Sequence, residues 1–568
     1  MNVYRKSLIC SLLVLLPAGG AAFGQPAPDE AYLEGEKLPY FGSVDPWNQR
    51  FFYEHNQAGA NFRPGRVGQR QMLDIVENRA AEAVAYCQKL LKAHPEERES
   101  LFNLTVAWCQ LNDTEKALSA MNRAVEAGLP FARFLAGPRE LLKPLTQTPE
   151  FHRLASEHSI QLIHGPMLGC VTDHGAKVWV RTVDEVPICI VVSTSPDLKG
   201  TERIQSAPTS SRADRDYTAV AEIDGLQANT TYYYDVLVDG KPTLKADYPS
   251  FRTYPPAGEK AQFNVAFGGG ASFVTYHERM WNTVAAQQLA GFLFLGDNIY
   301  IDLPSEPNGL HHYSYYRRQS RPEYRQMIAS TPIYAIWDDH DCAMDDLFFG
   351  PYVDKPSWKR PLWSVFRNNW NNPAYGDEDE RPGCWFKFSI GDVDFFLLDG
   401  RFYRTNPYVE NPSMLGPRQK AWLLDAVTQS QATFKVLASP VPWAFDTKGD
   451  SLDTWNGYPE ERKEIFDYLG KKRIDGVVLI SADRHRSDAR LIERDNAYPL
   501  YEFESSRLTN RKFHDPVGET FFVYNKKCSL GKLIFDTTKP DPEVTFQIVS
   551  IDNEKIDSLT LKKSELSH

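Results

Sequence analysis

Three patterns of apolar spacing follow one another along the chain. Between about residues 70 and 160 the apolar positions keep helical intervals. Ala81, Val84, Ala85, Leu90 and Leu91 recur at such spacing, and residues 101–111 and 115–125 continue it on either side of Asn112-Asp113-Thr114. Asp113 or Thr114 is placed to cap the second of these helices, and Gly128 with Pro130 to end it. From about 162 to 255 the period falls to two, as in Lys177-Val178-Trp179-Val180-Arg181 and in residues 188–192 and 231–238. Asp239-Gly240 marks a hairpin and Pro255-Pro256 a linker. From about 260 onward short, largely apolar runs end abruptly in Gly, Asp or His. Residues 263–267 run into Gly268-Gly269-Gly270, 292–295 into Gly296-Asp297, and 334–337 into Asp338-Asp339-His340-Asp341. Residues 395–398 run into Asp399-Gly400-Arg401, 434–437 into Ala438-Ser439-Pro440, and 477–480 into Ser481-Ala482-Asp483-Arg484-His485. Such runs are strands buried on both faces, in a sheet covered by helices; residues 418–427 and 459–469 carry helical patterns between some of them. Residues 313–325, which mix His, Tyr and Arg, are expected to form a long loop at an anion-contacting rim or on the solvated surface.

Length and composition turn these patterns into a domain plan. A chain of 568 residues exceeds one ordinary core. Residues 1–24 have the form of a signal peptide, with Arg5 and Lys6 before a short apolar stretch and Ala22-Phe23-Gly24 at the cleavage site. A Pro-, Gly- and Asn-rich arm at 25–66 follows, then a helical module at 67–160, a β-sandwich at 161–256 and a catalytic domain at 257–568. Part of the helical module, residues 101–130, is similar to a tetratricopeptide unit and serves either as packing or as a docking surface for a protein partner. In the sandwich, residues 225–234 look like the turn and tyrosine-bearing strand of a fibronectin-like fold. No later stretch is long and apolar enough to cross a bilayer, so a secreted or periplasmic location is expected. The formal charge is −11, and −13 once Arg5 and Lys6 are removed, which argues against nucleic acid as a dedicated partner. Seven scattered cysteines beyond Cys10 lack CxxC spacing. They form neither a disulfide scaffold nor a thiolate zinc site, and are compatible with one or two disulfides.

The strand-end residues carry the candidate chemistry. In an open α/β sheet ligands gather beyond the carboxyl ends of the strands. One such loop offers Asp297 and Tyr300, a second Asp338 to Asp341 with Asp345 and Asp346 close behind, and a third Asp483 and His485. Converging carboxylates repel one another unless cations sit between them, and carboxylate with imidazole suits Ca²⁺, Mn²⁺, Zn²⁺ or iron. Paired ions of this kind clamp a phosphoryl group and activate a water. The glycines at 268–270 lack the Lys-Ser/Thr of a P-loop, and no Gly-x-Ser-x-Gly elbow supports serine esterase chemistry.

From residue 160 to the C-terminus the chain resembles the PhoD-like alkaline phosphatases of the metallophosphatase superfamily. The likeness rests on residues 295–300 (LGDNIY), 337–341 (WDDHD), 398–404 (LDGRFYR) and 481–485 (SADRH). It implies a four-layer α/β/β/α catalytic domain behind a small β-sandwich, and hydrolysis of small phosphomonoesters or phosphodiesters at a multi-metal centre holding calcium and iron. It also implies that Asp297, Tyr300, Asp338, Asp339, Asp483 and His485 are metal ligands. Where family members carry Ser-Cys, with an iron-binding thiolate, this chain has Gly269-Gly270, which puts ferric iron in doubt. Asp345 stands where relatives have Asn and is an additional candidate ligand. His340 is a candidate proton donor to the leaving oxygen, or else a structural or ligand-orienting histidine. Arg401 and Arg404 either hold the substrate phosphate or pair with Asp399, and Asn298 is a further candidate substrate contact. The competing expectation is a decayed relative that binds partners through its helical and sandwich modules.

Overall fold

The computed structural model describes residues 67–199, 203–244, 247–343 and 345–568. The expected signal peptide and arm lie outside these residues. Helices Val67–Val76, Ala80–Ala93, Arg98–Gln110 and Thr114–Glu126 come first, followed by three shorter ones that end at His158. Asp113 caps Thr114–Glu126, its carboxylate accepting from Lys116 N at 3.1 Å, and Glu97 caps Arg98–Gln110 in the same way.

The next strands form two small sheets. Leu162–Gly169, Ala176–Thr182 and Thr218–Ile223 make one; the other centres on Pro187–Ser193 paired with Thr231–Val238. The Tyr232 hydroxyl accepts from Gln227 N at 3.0 Å, which ties the turn before its strand to the strand itself.

Two larger sheets build the rest. In the first, Ile333–Ile336, Gly291–Leu295 and Gln262–Gly268 run parallel and continue antiparallel into Ser529–Asp536, Glu543–Ser550 and Lys555–Lys562. In the second, Val393–Leu397, Phe434–Ala438, Val477–Ser481 and Leu500–Ser505 are parallel, flanked by antiparallel Phe386–Ile390 on one side and Ser487–Ile492 and Phe522–Tyr524 on the other. Alternation along each strand explains the stacking of the layers. Phe395 points inward to Phe535 of the facing sheet (5.9 Å between ring centroids), and Phe503 meets Phe546 at 4.4 Å. Phe396 points outward to Trp422 of helix Gly416–Gln429. On the far side Phe294 meets Trp281 of helix Met280–Ala286. The C-terminal domain therefore has the four-layer α/β/β/α arrangement, and parallel pairing brings the carboxyl ends of its central strands to one edge.

Two expectations change. Residues 313–325 are not a long loop: 313–319 and 322–325 lie in helices Gly309–Gln319 and Pro322–Ser330, joined by Ser320 and Arg321. The Asn308 side chain accepts from Leu310 N and the His311 ring meets Asn308 N, so the first helix has a clear start. It is buried on several sides and so shows no amphipathic stripe. The seven cysteines among the described residues are all free.

Candidate metal centre

The metal-type side chains leave the strands through strained turns. Asp297, Asp483 and His485 all have left-handed backbones, at φ 53°, 76° and 50°. Such conformations are uncommon outside glycine and concentrate at functional sites. Gly296 has φ 98°, and a Cβ there would lie 2.5 Å from the Asp338 Cβ, so only glycine lets the Asp297 and Asp338 turns approach.

Asp341 fixes those turns relative to each other. Its Oδ1 accepts from Asn298 N (2.9 Å) and Ile299 N (2.8 Å), and its Oδ2 from Asp338 N (2.9 Å). Around this staple, ligand atoms of Asp297, Asp339 and His340 lie within 4.8 Å of one another, as do those of Asp339, Asp346 and Asp453. Asp297 Oδ2 accepts from the Tyr300 hydroxyl at 2.8 Å, while its buried Oδ1 has no hydrogen-bond partner among the described residues. Burial pushes the Asp297 carboxyl well above the usual range; the charge of His340 works against this, and Asp339 and Asp338 add to it. A carboxylate so placed calls for a cation.

His485 enters through its neighbours. Its Nδ1 faces the Ser506 carbonyl at 3.1 Å, which assigns the proton to Nδ1 and leaves the Nε2 lone pair for a ligand. Asn510 Nδ2 lies 3.2 Å from that Nε2 and 2.8 Å from the Tyr300 hydroxyl, linking His485 to Tyr300 and Asp297. Burial lowers the His485 pKa to about 3, so the ring is neutral, as a ligand must be. Asp483 Oδ2 is buried without a hydrogen bond, 3.5 Å from the Lys448 ammonium.

His340 stacks on Tyr300 with ring centroids 4.4 Å apart. Its Nδ1 bonds Asp302, and its Nε2 lies 3.0 Å from Asp345 Oδ1. Burial opposes a charge on this ring, yet Asp302, then Asp297 and Asp339, hold its pKa well above the ordinary value. Asp345 is thus the partner of His340 and lies in neither carboxylate cluster, with half of its side chain exposed.

The arginines are corrected. Arg401 is fully buried and committed to protein: Nε to Asp338, Nη1 to Asp453 Oδ1 (2.6 Å) and Leu347 O, Nη2 to Asp453 Oδ2 (3.2 Å). It neither grips a phosphate nor pairs with the Asp399 side chain, which instead accepts from Trp337 Nε1, Cys384 N and the backbone N–H groups of Arg401 and Phe402. Arg404 is buried on Tyr458 and Asp453, and the Asn298 side-chain amide donates to Ile336 O and Asp341. All three brace the site. Asp338 shares the Arg401 brace, although its Oδ2 is buried without a hydrogen bond.

At the position of the expected thiol, Gly270 has φ 64°. A Cβ there would meet the Ser506 carbonyl at 2.0 Å and His485 Nδ1 at 3.0 Å. A Cβ on Gly269 would lie 2.8 Å from that of Ala482. The loop therefore requires both glycines, and the donor set is oxygen and imidazole without sulfur. Such a set fits hard or borderline divalent ions. The sequence reading missed Asp302, Asp453, Lys448 and Asn510.

Comparison with known proteins agrees with this geometry. Residues 265–532 match the PhoD-like phosphatase family, and residues 159–255 match a domain of unknown function, DUF7800. Alkaline phosphatase D of Bacillus subtilis (strain 168) is 26% identical over 344 residues, 51% of this chain and 56% of that protein. The chain thus spans little more than half the length of this curated relative. The solved structure of PhoD superimposes with a TM-score of 0.59 at 17% identity, covering 71% of this chain and 90% of that one. A purple acid phosphatase, PPD1, from yellow lupin seeds gives 0.52 at 11% identity, covering 71% and 75%. At these identities the two structures speak for the fold alone.

Proposed function

We propose, from the match of residues 265–532 to the PhoD-like phosphatase family, that the protein is an exported, metal-dependent hydrolase of small phosphomonoesters or phosphodiesters. Export rests on the pattern of residues 1–24. The observation that carries the rest is the Asp297 carboxylate, buried in a cluster with Asp339 and His340 and with one oxygen left unpartnered. Asp297, Asp339, Asp483, His485 and Tyr300 would hold the ions, Ca²⁺ or Mn²⁺ by their oxygen-rich donors, with Zn²⁺ a third candidate. Bound there, divalent ions polarise the phosphoryl oxygens and lower the pKa of a water. Ferric iron would have Tyr300 but no thiolate.

The chain's own proton chemistry belongs to His340. Asp302 holds the proton on Nδ1, and the Nε2 end, paired with Asp345 at 3.0 Å, would exchange that partner to protonate the leaving oxygen. Tyr300 stacked on the ring fixes its plane. The reading is tested with p-nitrophenyl phosphate and bis(p-nitrophenyl) phosphate before and after chelation. Chelator is expected to abolish turnover and added Ca²⁺ or Mn²⁺ to restore it. Asp297→Asn is expected to lose at least ~10³-fold in kcat with its circular dichroism spectrum unchanged, in line with removal of an essential charge-stabilising group. A fully active Asp297→Asn protein, or one indifferent to chelator, would sink the proposal.

A further inference from the structure

Positive side chains are distributed unevenly across the site. Asp297 itself makes no ion pair with a lysine or arginine among the described residues and Asp339 lies 3.6 Å from Arg401 Nη2, whereas Asp453 is crowded with them. Asp453 lies 2.6 Å from Arg401 Nη1, 3.0 Å from Arg404 Nη2 and 2.8 Å from Lys448 Nζ. Lys448 projects from strand Thr447–Asp450, whose first carbonyl accepts from Arg484 Nε at 3.2 Å. Its ammonium reaches three carboxylates: Asp453 Oδ2, Asp346 Oδ1 at 2.9 Å and Asp483 Oδ2 at 3.5 Å. The ammonium donates to Asp346 and Asp453, and Asp483 faces its charge without a hydrogen bond. Asp339, Asp346 and Asp453 nevertheless bring their oxygens within 4.8 Å of one another, a spacing that would accept a divalent ion if the centre were open.

We propose that the Lys448 ammonium is a built-in cation standing in for a metal ion between Asp346 and Asp453, so that divalent ions are confined to the Asp297 end of the centre. The proposal rests on the metal-hydrolase reading for its consequence, a centre with fewer ions than its carboxylates could hold. The physical reason is mutual exclusion. A divalent ion held by Asp346 and Asp453 would face the ammonium at contact distance in a buried pocket, where like charges repel strongly. The lysine also neutralises carboxylates at all times, whereas an ion does so only while bound.

The test is a count of metal ions. Wild type, Lys448→Met and Lys448→Arg are equilibrated with Mn²⁺, freed of excess and measured by plasma mass spectrometry. Lys448→Met is expected to bind about one Mn²⁺ per chain more than wild type, and Lys448→Arg the same number as wild type. Equal counts in wild type and Lys448→Met overturn the proposal. Should Lys448→Met not fold, anomalous scattering from Mn²⁺-soaked wild-type crystals decides. A peak between Asp346 and Asp453 overturns the proposal, and its absence at saturating Mn²⁺ supports it. The two readings fail differently. Hydrolysis that needs metal alongside unchanged counts removes only the role of Lys448. A gain of one ion in Lys448→Met, in a wild type without hydrolytic activity, keeps that role and removes the enzyme.

Discussion

Asp302 meets the Asp297–Asp339–His340 cluster through the His340 ring, and there it decides what His340 can do. Its carboxylate bonds Nδ1, and its charge is the largest favourable influence holding the His340 pKa up against burial. The sign follows directly. A raised pKa keeps the ring protonated into the alkaline range, so Asp302→Asn should move the alkaline limb of the kcat profile to lower pH, by about 1 unit or more for the loss of one adjacent charge. The loss in kcat should be greater, of order 10²-fold, for an alkyl phosphate than for a nitrophenyl phosphate, whose leaving group departs readily as an anion without a proton. Equal losses on both substrates would mean that His340 is not the acid. Gly270 poses a different question at the same scale, whether restoring the family's cysteine restores its chemistry. A side chain at φ 64° costs about 1 kcal/mol, and its Cβ would stand 2.0 Å from the Ser506 carbonyl, so backbone must move as well. Gly270→Cys is therefore expected to lower the melting temperature and to show no thiolate-to-iron absorption band with Fe³⁺. A stable, coloured variant would show that the loop can accept the thiol.

Helix Gly309–Gln319 is the element on which separate parts of the chain meet. On one side the Tyr313 hydroxyl donates to Glu99 Oε2 at 2.7 Å, and Arg133 pairs with the same carboxylate at 3.1 Å. On another, the Tyr316 hydroxyl donates to Asp216 at 2.6 Å and Gln319 accepts from Arg181 at 2.6 Å. Arg318 then reaches the Asn298 carbonyl at 3.0 Å, beside Asp297. Arg133→Met leaves Glu99 buried without its arginine and should cost about 3 kcal/mol in denaturant unfolding, the low end for breaking a buried pair because Tyr313 still donates. Adding Glu99→Leu should recover part of that loss, since removing both charges avoids an uncompensated one. This helix also shows where sequence reading runs out. The strand ends were legible because each apolar run stops at an Asp or Gly, so the positions of Asp297, Asp338 and Asp483 followed from the pattern. Helix 309–319 was not legible, because neighbours on several sides bury it and erase the polar face that marks a helix. Asp302, Asn510, Lys448 and Asp453 come from segments with no long regular period, and only the folded chain brings them to the site. The roles of Arg401 and Arg404 depend on which carboxylates lie within reach, which spacing along the chain does not encode.

At the scale of the whole molecule, the helical residues 67–158 and the two small sheets pack into the catalytic domain and carry part of its architecture. Arg181, fully buried, donates to Asp216, Asn369 and Gln319, and Trp179 Nε1 donates to the Asn368 carbonyl, so the small sheets share buried polar groups with the catalytic domain. The helices do the same through Glu99, and Phe102 stacks on Tyr313. Gly68 has no room for a Cβ beside the Tyr313 hydroxyl, and a Cβ at Gly309 would meet Leu141 and Val76, so the two surfaces are close-packed. A chain beginning at residue 159 would expose this surface and strip Tyr313 of Glu99. Helix Gly309–Gln319 would then lose one wall, and with it the placement of Arg318 on Asn298 O and of His311 on Leu303 O, 2.9 Å apart. Both of those carbonyls lie in the turn that begins at Asp297. A displacement of about 1 Å in such a turn is enough to lower turnover about 10²-fold. The shortened chain is therefore expected to be poorly soluble, or, where it folds, to lose kcat because the Asp297 turn shifts. Steady-state kinetics of the purified fragment beside the full chain make the comparison. A fragment with the full chain's kcat would mean that residues 67–158 are an appendage, and that the catalytic domain holds the Asp297 turn by itself.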